Sequence, residues 1–262
     1  MEKRIIARGL LAGACGGLLA FVFGRVFVEP LIGRAIGYED GLGELHGHGA
    51  HQHGVELFTR GVQANIGMGF GVLAFGVAMG ALFAAAYCVA YGHVGSISPR
   101  LLSVLLAGGM LFALCVIPAL KYPPNPPAVS LAESIRQRTL LYLLMVVLSV
   151  ALLVAAVWLG RRLTARLGGW NATLVALGCY VVAIVMVMLI LPTIDETPGP
   201  IRDDAGAIVY PGFPADDLYE FRLFSLGTQV VLWTTIGLVF AALITRLLGE
   251  QDRAGQEAST SA

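Results

Sequence analysis

Apolar residues run along the chain in six long blocks, at approximately 5–28, 64–91, 101–120, 139–159, 170–191 and 223–247, parted by more polar stretches that hold most of the charge. Each block is close to or above the roughly 20 residues needed to cross a bilayer core of about 30 Å. No β-barrel alternation is present, so the pattern predicts an all-α, polytopic membrane protein of about six transmembrane helices whose backbone bonds close within each helix. Composition agrees: 57% of the residues are hydrophobic and 13% charged, against about a quarter charged in a soluble domain. One transmembrane domain, 1–248, is expected, followed by a polar tail, "GEQDRAGQEASTSA" at 249–262, predicted to be disordered.

Charge placement gives an orientation. The connection "GRRLTARLGG" holds Arg161, Arg162 and Arg166 without an acid, and the N-terminal segment holds Lys3, Arg4 and Arg8. The positive-inside rule puts both on the cytoplasmic side. Six helices then leave both termini and the tail inside, with 29–63, 121–138 and 192–222 outside. "AGAC" at 12–15 imitates a lipoprotein leader, but the apolar run continues past Cys15 as a spanning helix does. The four cysteines sit singly in four different blocks and read as small buried apolar residues. Net charge is zero, which gives no reason to expect nucleic acid as a partner.

Cut into three helical hairpins, the chain shows an internal repeat. The odd helices end in "VEP", "VIP" and "ILP" at Pro30, Pro118 and Pro192; the even helices open at Arg60, Arg138 and Arg222. In one reading Pro caps helix ends and Arg snorkels at the interface. In the other, a pseudo-threefold bundle has an outer mouth ringed by these arginines, facing Glu29, Lys121, Asp195 and Glu196. Glycines at four-residue spacing, Gly9, Gly13 and Gly17 in the first helix and Gly67 with Gly71 and Gly76 with Gly80 in the second, predict close helix packing. The last helix is the most polar, with Ser225, Thr228, Gln229, Thr234 and Thr235, and is the candidate for lining a path.

Candidate chemistry is concentrated in "ELHGHGAHQHG", where His46, His48, His51 and His53 form two HxH pairs in a loop at 37–60. Neutral imidazole ligates Co²⁺, Ni²⁺, Cu²⁺ and Zn²⁺, and glycines let the chain fold around an ion. Binding there weakens below about pH 6, as imidazoles protonate. Such a tether suits capture of an ion near an entrance. There is no GxxxxGK[ST], no HExxH and no intramembrane Ser/His pair, so an enzyme is not expected.

The blocks "FGRVFVEPLIGRAI", "IPALKYPPNPPAV", "RTLLYL", "LGGWNATLVALGCY", "LPTIDETP" and "FPADDLYEFRLFSLGTQVVLW" resemble the predicted cobalt transporter subunit CbtA family over nearly the whole chain. The resemblance implies a bacterial inner-membrane protein that moves Co²⁺, holds no permanent cofactor, and works with a small one-helix, His-containing partner, CbtB, in cobalt supply for cobalamin synthesis. Glu29, Lys121, Asn125, Arg138, Glu196, Arg222 and Gln229 fall in the shared blocks. With Asp195 they form the expected path or mouth, and Ni²⁺ or Zn²⁺ are alternative ions. The rival is a non-transporting scaffold or metal-sensing subunit that binds a partner through its Gly-rich first two helices.

Overall fold

The computed structural model describes residues 2–45, 59–93, 97–127, 129 and 134–260, the last stretch from 248 as backbone alone. Its helices are α1 (Glu2–Phe27), α2 (Glu29–Leu45), α3 (Arg60–Tyr91), α4 (Pro99–Lys121), α5 (Ile135–Ile190) and α6 (Ala215–Thr260). Two short antiparallel strands, β1 (Ile201–Arg202) and β2 (Ile208–Tyr210), precede α6. All helices but α2 are long and apolar enough to cross a membrane, α6 as far as Leu247. Side chains such as Leu189, 80% exposed, face outward and need an apolar solvent.

Five such helices account for six apolar blocks because α5 is two helices in one. Its 56 residues would reach about 84 Å if straight, far beyond a bilayer core. Gly168 breaks it at φ 74°, ψ 163°, a conformation that glycine reaches without a Cβ penalty. The arms 135–167 and 169–190 fold back on one another: the Ser149 and Tyr180 hydroxyls lie 3.3 Å apart, and Met145 shares a core with Tyr180 and Ile184. The Arg-rich connection expected as a loop is therefore helical up to that one residue, since its Arg, Leu and Ala are good helix formers.

The chain forms two compact units: one holds α1, α3, α4 to Leu111 and α6 from Phe224; the other holds α2 from Leu31, the rest of α4, α5, the strands and the start of α6. In the first unit, α1 and α3 meet along Gly9, Gly13 and Gly17 of α1 and Gly76 and Gly80 of α3, whereas Gly67 and Gly71, expected in the same packing, have no atom of α1 within 4 Å of their Cβ positions and lie off the seam. A Cβ on Gly76 would lie 2.6 Å from both the Gly13 carbonyl oxygen and the Gly17 Cα. Phe240 of α6 packs edge-on against Phe83 and Tyr87 of α3, and Gly237 of α6 approaches Ala107 of α4. The glycine seam expected to receive a partner in the scaffold reading is thus closed within the chain. The cysteines also differ from expectation: Cys15, Cys88 and Cys115 are half-buried and Cys179 exposed, and none is in a disulfide. On a lipid-facing helix surface, bilayer rather than protein supplies the apolar surroundings.

In the second unit, part of the expected loop 29–63 is the helix α2. Pro30 starts it instead of closing α1, because proline fits a first helical turn where its missing N–H costs nothing. Arg34 pairs with Asp217 at 2.7 Å and Glu220 at 3.0 Å. Tyr38 and Tyr210 then exchange bonds: Tyr210 Oη donates to the Tyr38 carbonyl, and Tyr38 Oη to that of Pro211. Beyond Leu247, α6 continues as helix to Thr260, through the stretch read as a structureless tail; Ala, Gln, Glu and Arg there all favour helix.

Pro118 likewise lies inside a helix, not at its end. A π-turn at Phe112–Val116 precedes it, as π-turns commonly accommodate an interrupted hydrogen-bond ladder. In an α-helix the N–H of residue 118 would bond the Leu114 carbonyl; proline has none, and Tyr142 Oη of α5 donates there at 3.2 Å. Tyr142→Phe is expected to lower stability by about 1 kcal/mol, read as a drop in Tm in detergent. No change in Tm would mean that this carbonyl is served otherwise.

Candidate functional site

The end of the second unit where α4, α5 and the chain after α5 meet gathers five of the expected mouth residues, Asn125, Arg138, Asp195, Glu196 and Arg222. Glu196 follows α5 by six positions, and its side chain is 2% exposed. A carboxylate that deep must be neutralised and hydrogen-bonded. Arg138 Nη1, from the first turn of α5, meets Oε2 at 2.8 Å; Asn125 Nδ2 reaches the same oxygen at 3.5 Å; the Ser134 hydroxyl bonds Oε1. Arg138 Nη2 also bonds the Pro123 carbonyl, which ties α5 to the segment after α4.

Asn125 extends the network. Its Oδ1 accepts from Arg222 Nη2 at 2.9 Å, so one amide bridges Glu196 to the start of α6. The Nε of Arg222 is buried with no hydrogen-bond partner among the described residues. Arg222 also feels the charges of Arg138 and of Asp195, whose exposed carboxylate accepts from the Thr197 N–H at 3.3 Å. Two guanidiniums thus stand against two carboxylates, and every part of the arrangement belongs to the second and third hairpins. Tyr122, beside it, donates to the Pro192 carbonyl at 2.8 Å, and burial pushes its phenol above the ordinary pKa. Lys121 ends α4, half-buried.

Glu29 belongs to the first unit and is closed on its own hairpin. Arg60 meets Oε1 at 2.8 Å and Arg25 meets Oε2 at 3.2 Å. Arg25 Nε donates to Asn65 Oδ1 in the π-turn Gln63–Gly67 near the start of α3, and Asn65 Nδ2 donates back to the Gly61 carbonyl in the turn before it. Gln229 lies on the part of α6 in this unit. Thr228 and Thr235 turn back on their own helix, donating to the Phe224 and Val231 carbonyls. His46, His48, His51 and His53 lie outside the described residues.

The chemistry available is that of a closed charge network. Three donors occupy the Glu196 carboxylate, and among the described residues no three His, Cys, Asp or Glu side chains are gathered as a metal cage. Ser134 was not singled out by the sequence, although its place just before α5 carries the N-cap signal. Its hydroxyl goes to Glu196 instead of to the helix.

Comparison with known proteins gives one finding. The family model described as "Probable cobalt transporter subunit (CbtA)" matches residues 2–245. No curated protein and no solved structure matches the chain. A match over nearly all the helical region places this chain in the CbtA family.

Proposed function

We propose that this member of the CbtA family is the membrane-embedded subunit of a carrier for a divalent transition metal. Co²⁺ is the favoured ion, and Ni²⁺ or Zn²⁺ suit the same ligands. The observation that carries the reading is the family match over 2–245, which covers α1 to α5, nearly all the apolar part of α6, and the connections that hold both charged clusters. In this reading the chain crosses a bacterial inner membrane six times, with both termini cytoplasmic. A small one-helix, His-containing subunit of the CbtB type is its partner.

Capture is assigned to His46, His48, His51 and His53, supported by their HxH spacing and by α2, which ends at Leu45, one residue before the first of them. Passage is assigned to the Glu196 network. An incoming dication repels Arg138 and Arg222 and attracts Glu196, so the ion takes the carboxylate only as Arg138 lets go. As built, the network is the closed state.

Reconstituted liposomes test this. Labelled Co²⁺ is expected to cross with the partner present, and replacing all four histidines by alanine should raise the half-saturating Co²⁺ concentration several-fold while sparing the maximal rate. An unchanged half-saturation point removes the capture role. No flux under any gradient, with or without partner, would assign the chain to a non-transporting scaffold or metal-sensing subunit instead.

A further inference from the structure

The start of α1 and the far end of the apolar part of α6 leave a cleft between them of about 480 Å³, lined by Arg4, Ala7, Arg8, Leu11 and Leu243. On α1 these residues fall at i, i+3, i+4 and i+7, one stripe of the helix. Charge lies at the helix end and apolar side chains deeper in, which is the polarity of a phospholipid at a membrane surface.

Arg8 is held in place: Nε donates to the Leu243 carbonyl at 3.1 Å and Nη1 to the Arg4 carbonyl at 3.3 Å. Both acceptors are neutral, so the positive charge is oriented but not cancelled. Among the described residues neither Arg4 nor Arg8 makes an ion pair. Glu2, the nearest acid in sequence, is within electrostatic reach of Cys88 on α3. A guanidinium that only snorkels to water needs no fixed partner; one pinned a turn from a second arginine that lines the same cleft, over an apolar wall, is shaped for a phosphate.

We propose that this cleft binds one anionic phospholipid, with the phosphate between Arg4 and Arg8 and the upper acyl chain along Ala7, Leu11 and Leu243. A zwitterionic lipid brings its own cation towards two arginines and fits less well.

Native mass spectrometry of the purified full-length chain, released from micelles containing dioleoylphosphatidylglycerol or dioleoylphosphatidylcholine, tests it. One phosphatidylglycerol should be retained, about tenfold more than phosphatidylcholine, and an excess of glycerol phosphate should not displace it. Arg4→Gln with Arg8→Gln should lower retention at least about tenfold. Leu11→Trp, which fills the apolar wall and keeps both charges, should also lower it. Replacing the exposed Arg161, Arg162 and Arg166 by glutamine should leave it unchanged. Equal retention of the two lipids, displacement by glycerol phosphate, or the same loss in that triple variant overturns the proposal.

Discussion

Glu196→Leu is expected to destabilise the protein by about 3–4 kcal/mol, because it removes the carboxylate that pairs with Arg138 in a nearly closed site. Arg138 is itself only 17% exposed, so water does little to replace the lost carboxylate. Asn125 and the Ser134 hydroxyl would each lose a hydrogen bond to Glu196 in the same step. Chemical denaturation in detergent reads the effect. Adding Arg138→Met should recover most of the loss, since the guanidinium charge is then gone and only an apolar contact remains. A single variant as stable as the native chain would mean that the network is loose. The pair of variants also separates stability from transport: if Glu196 carries the ion, the double variant is stable and carries no Co²⁺.

Gly80→Leu should be at least as damaging, through packing rather than charge. A Cβ at Gly80 would sit 2.7 Å from the Gly13 Cα and 2.8 Å from its nitrogen, and would also strike the Gly9 carbonyl oxygen. Backbone cannot swing aside as a side chain can, so α1 and α3 must separate along their seam. A loss of 3 kcal/mol or more is expected, at the upper end of overpacking penalties and beyond; even Gly80→Ala meets the same atoms. Gly71→Ala is the contrast on the same helix. Nothing lies within 4 Å of its Cβ position, and alanine favours helix over glycine by up to about 1 kcal/mol. Thermal unfolding of the three variants side by side should show two losses and no loss at Gly71. A stable Gly80→Ala would rule out so close a seam.

The apolar blocks were enough to read the spans, because chain length in a bilayer is set by hydrophobic thickness and little else. The glycine spacing also announced a tight helix pair, although only the structure shows that α1 and α3 meet each other. What lay beyond reading was where prolines interrupt. Pro30 begins α2 and Pro118 sits inside α4, since proline is compatible with a first helical turn and with a π-turn as well as with an end. The ring of three arginines was legible as residues but not as pairs. Arg60 closes on Glu29 of its own hairpin, whereas Arg138 reaches Glu196 of the third hairpin and Arg222 reaches Asn125 of the second. Hydrogen-bond exchange between hairpins depends on how connecting segments fold over the helix ends, and no periodicity encodes that.

The hydroxyl that Tyr142 lends to Leu114 has a bearing on how such a chain can change over generations. While proline stands at 118, phenylalanine at 142 strips a carbonyl of its donor; once another residue stands there, a backbone N–H returns and the same replacement becomes nearly harmless. The order of the two steps therefore matters by about 1 kcal/mol: the hydroxyl at 142 is lost at less cost once the ring at 118 has gone. Two positions on neighbouring helices, α4 and α5, are in this way coupled through a single oxygen atom.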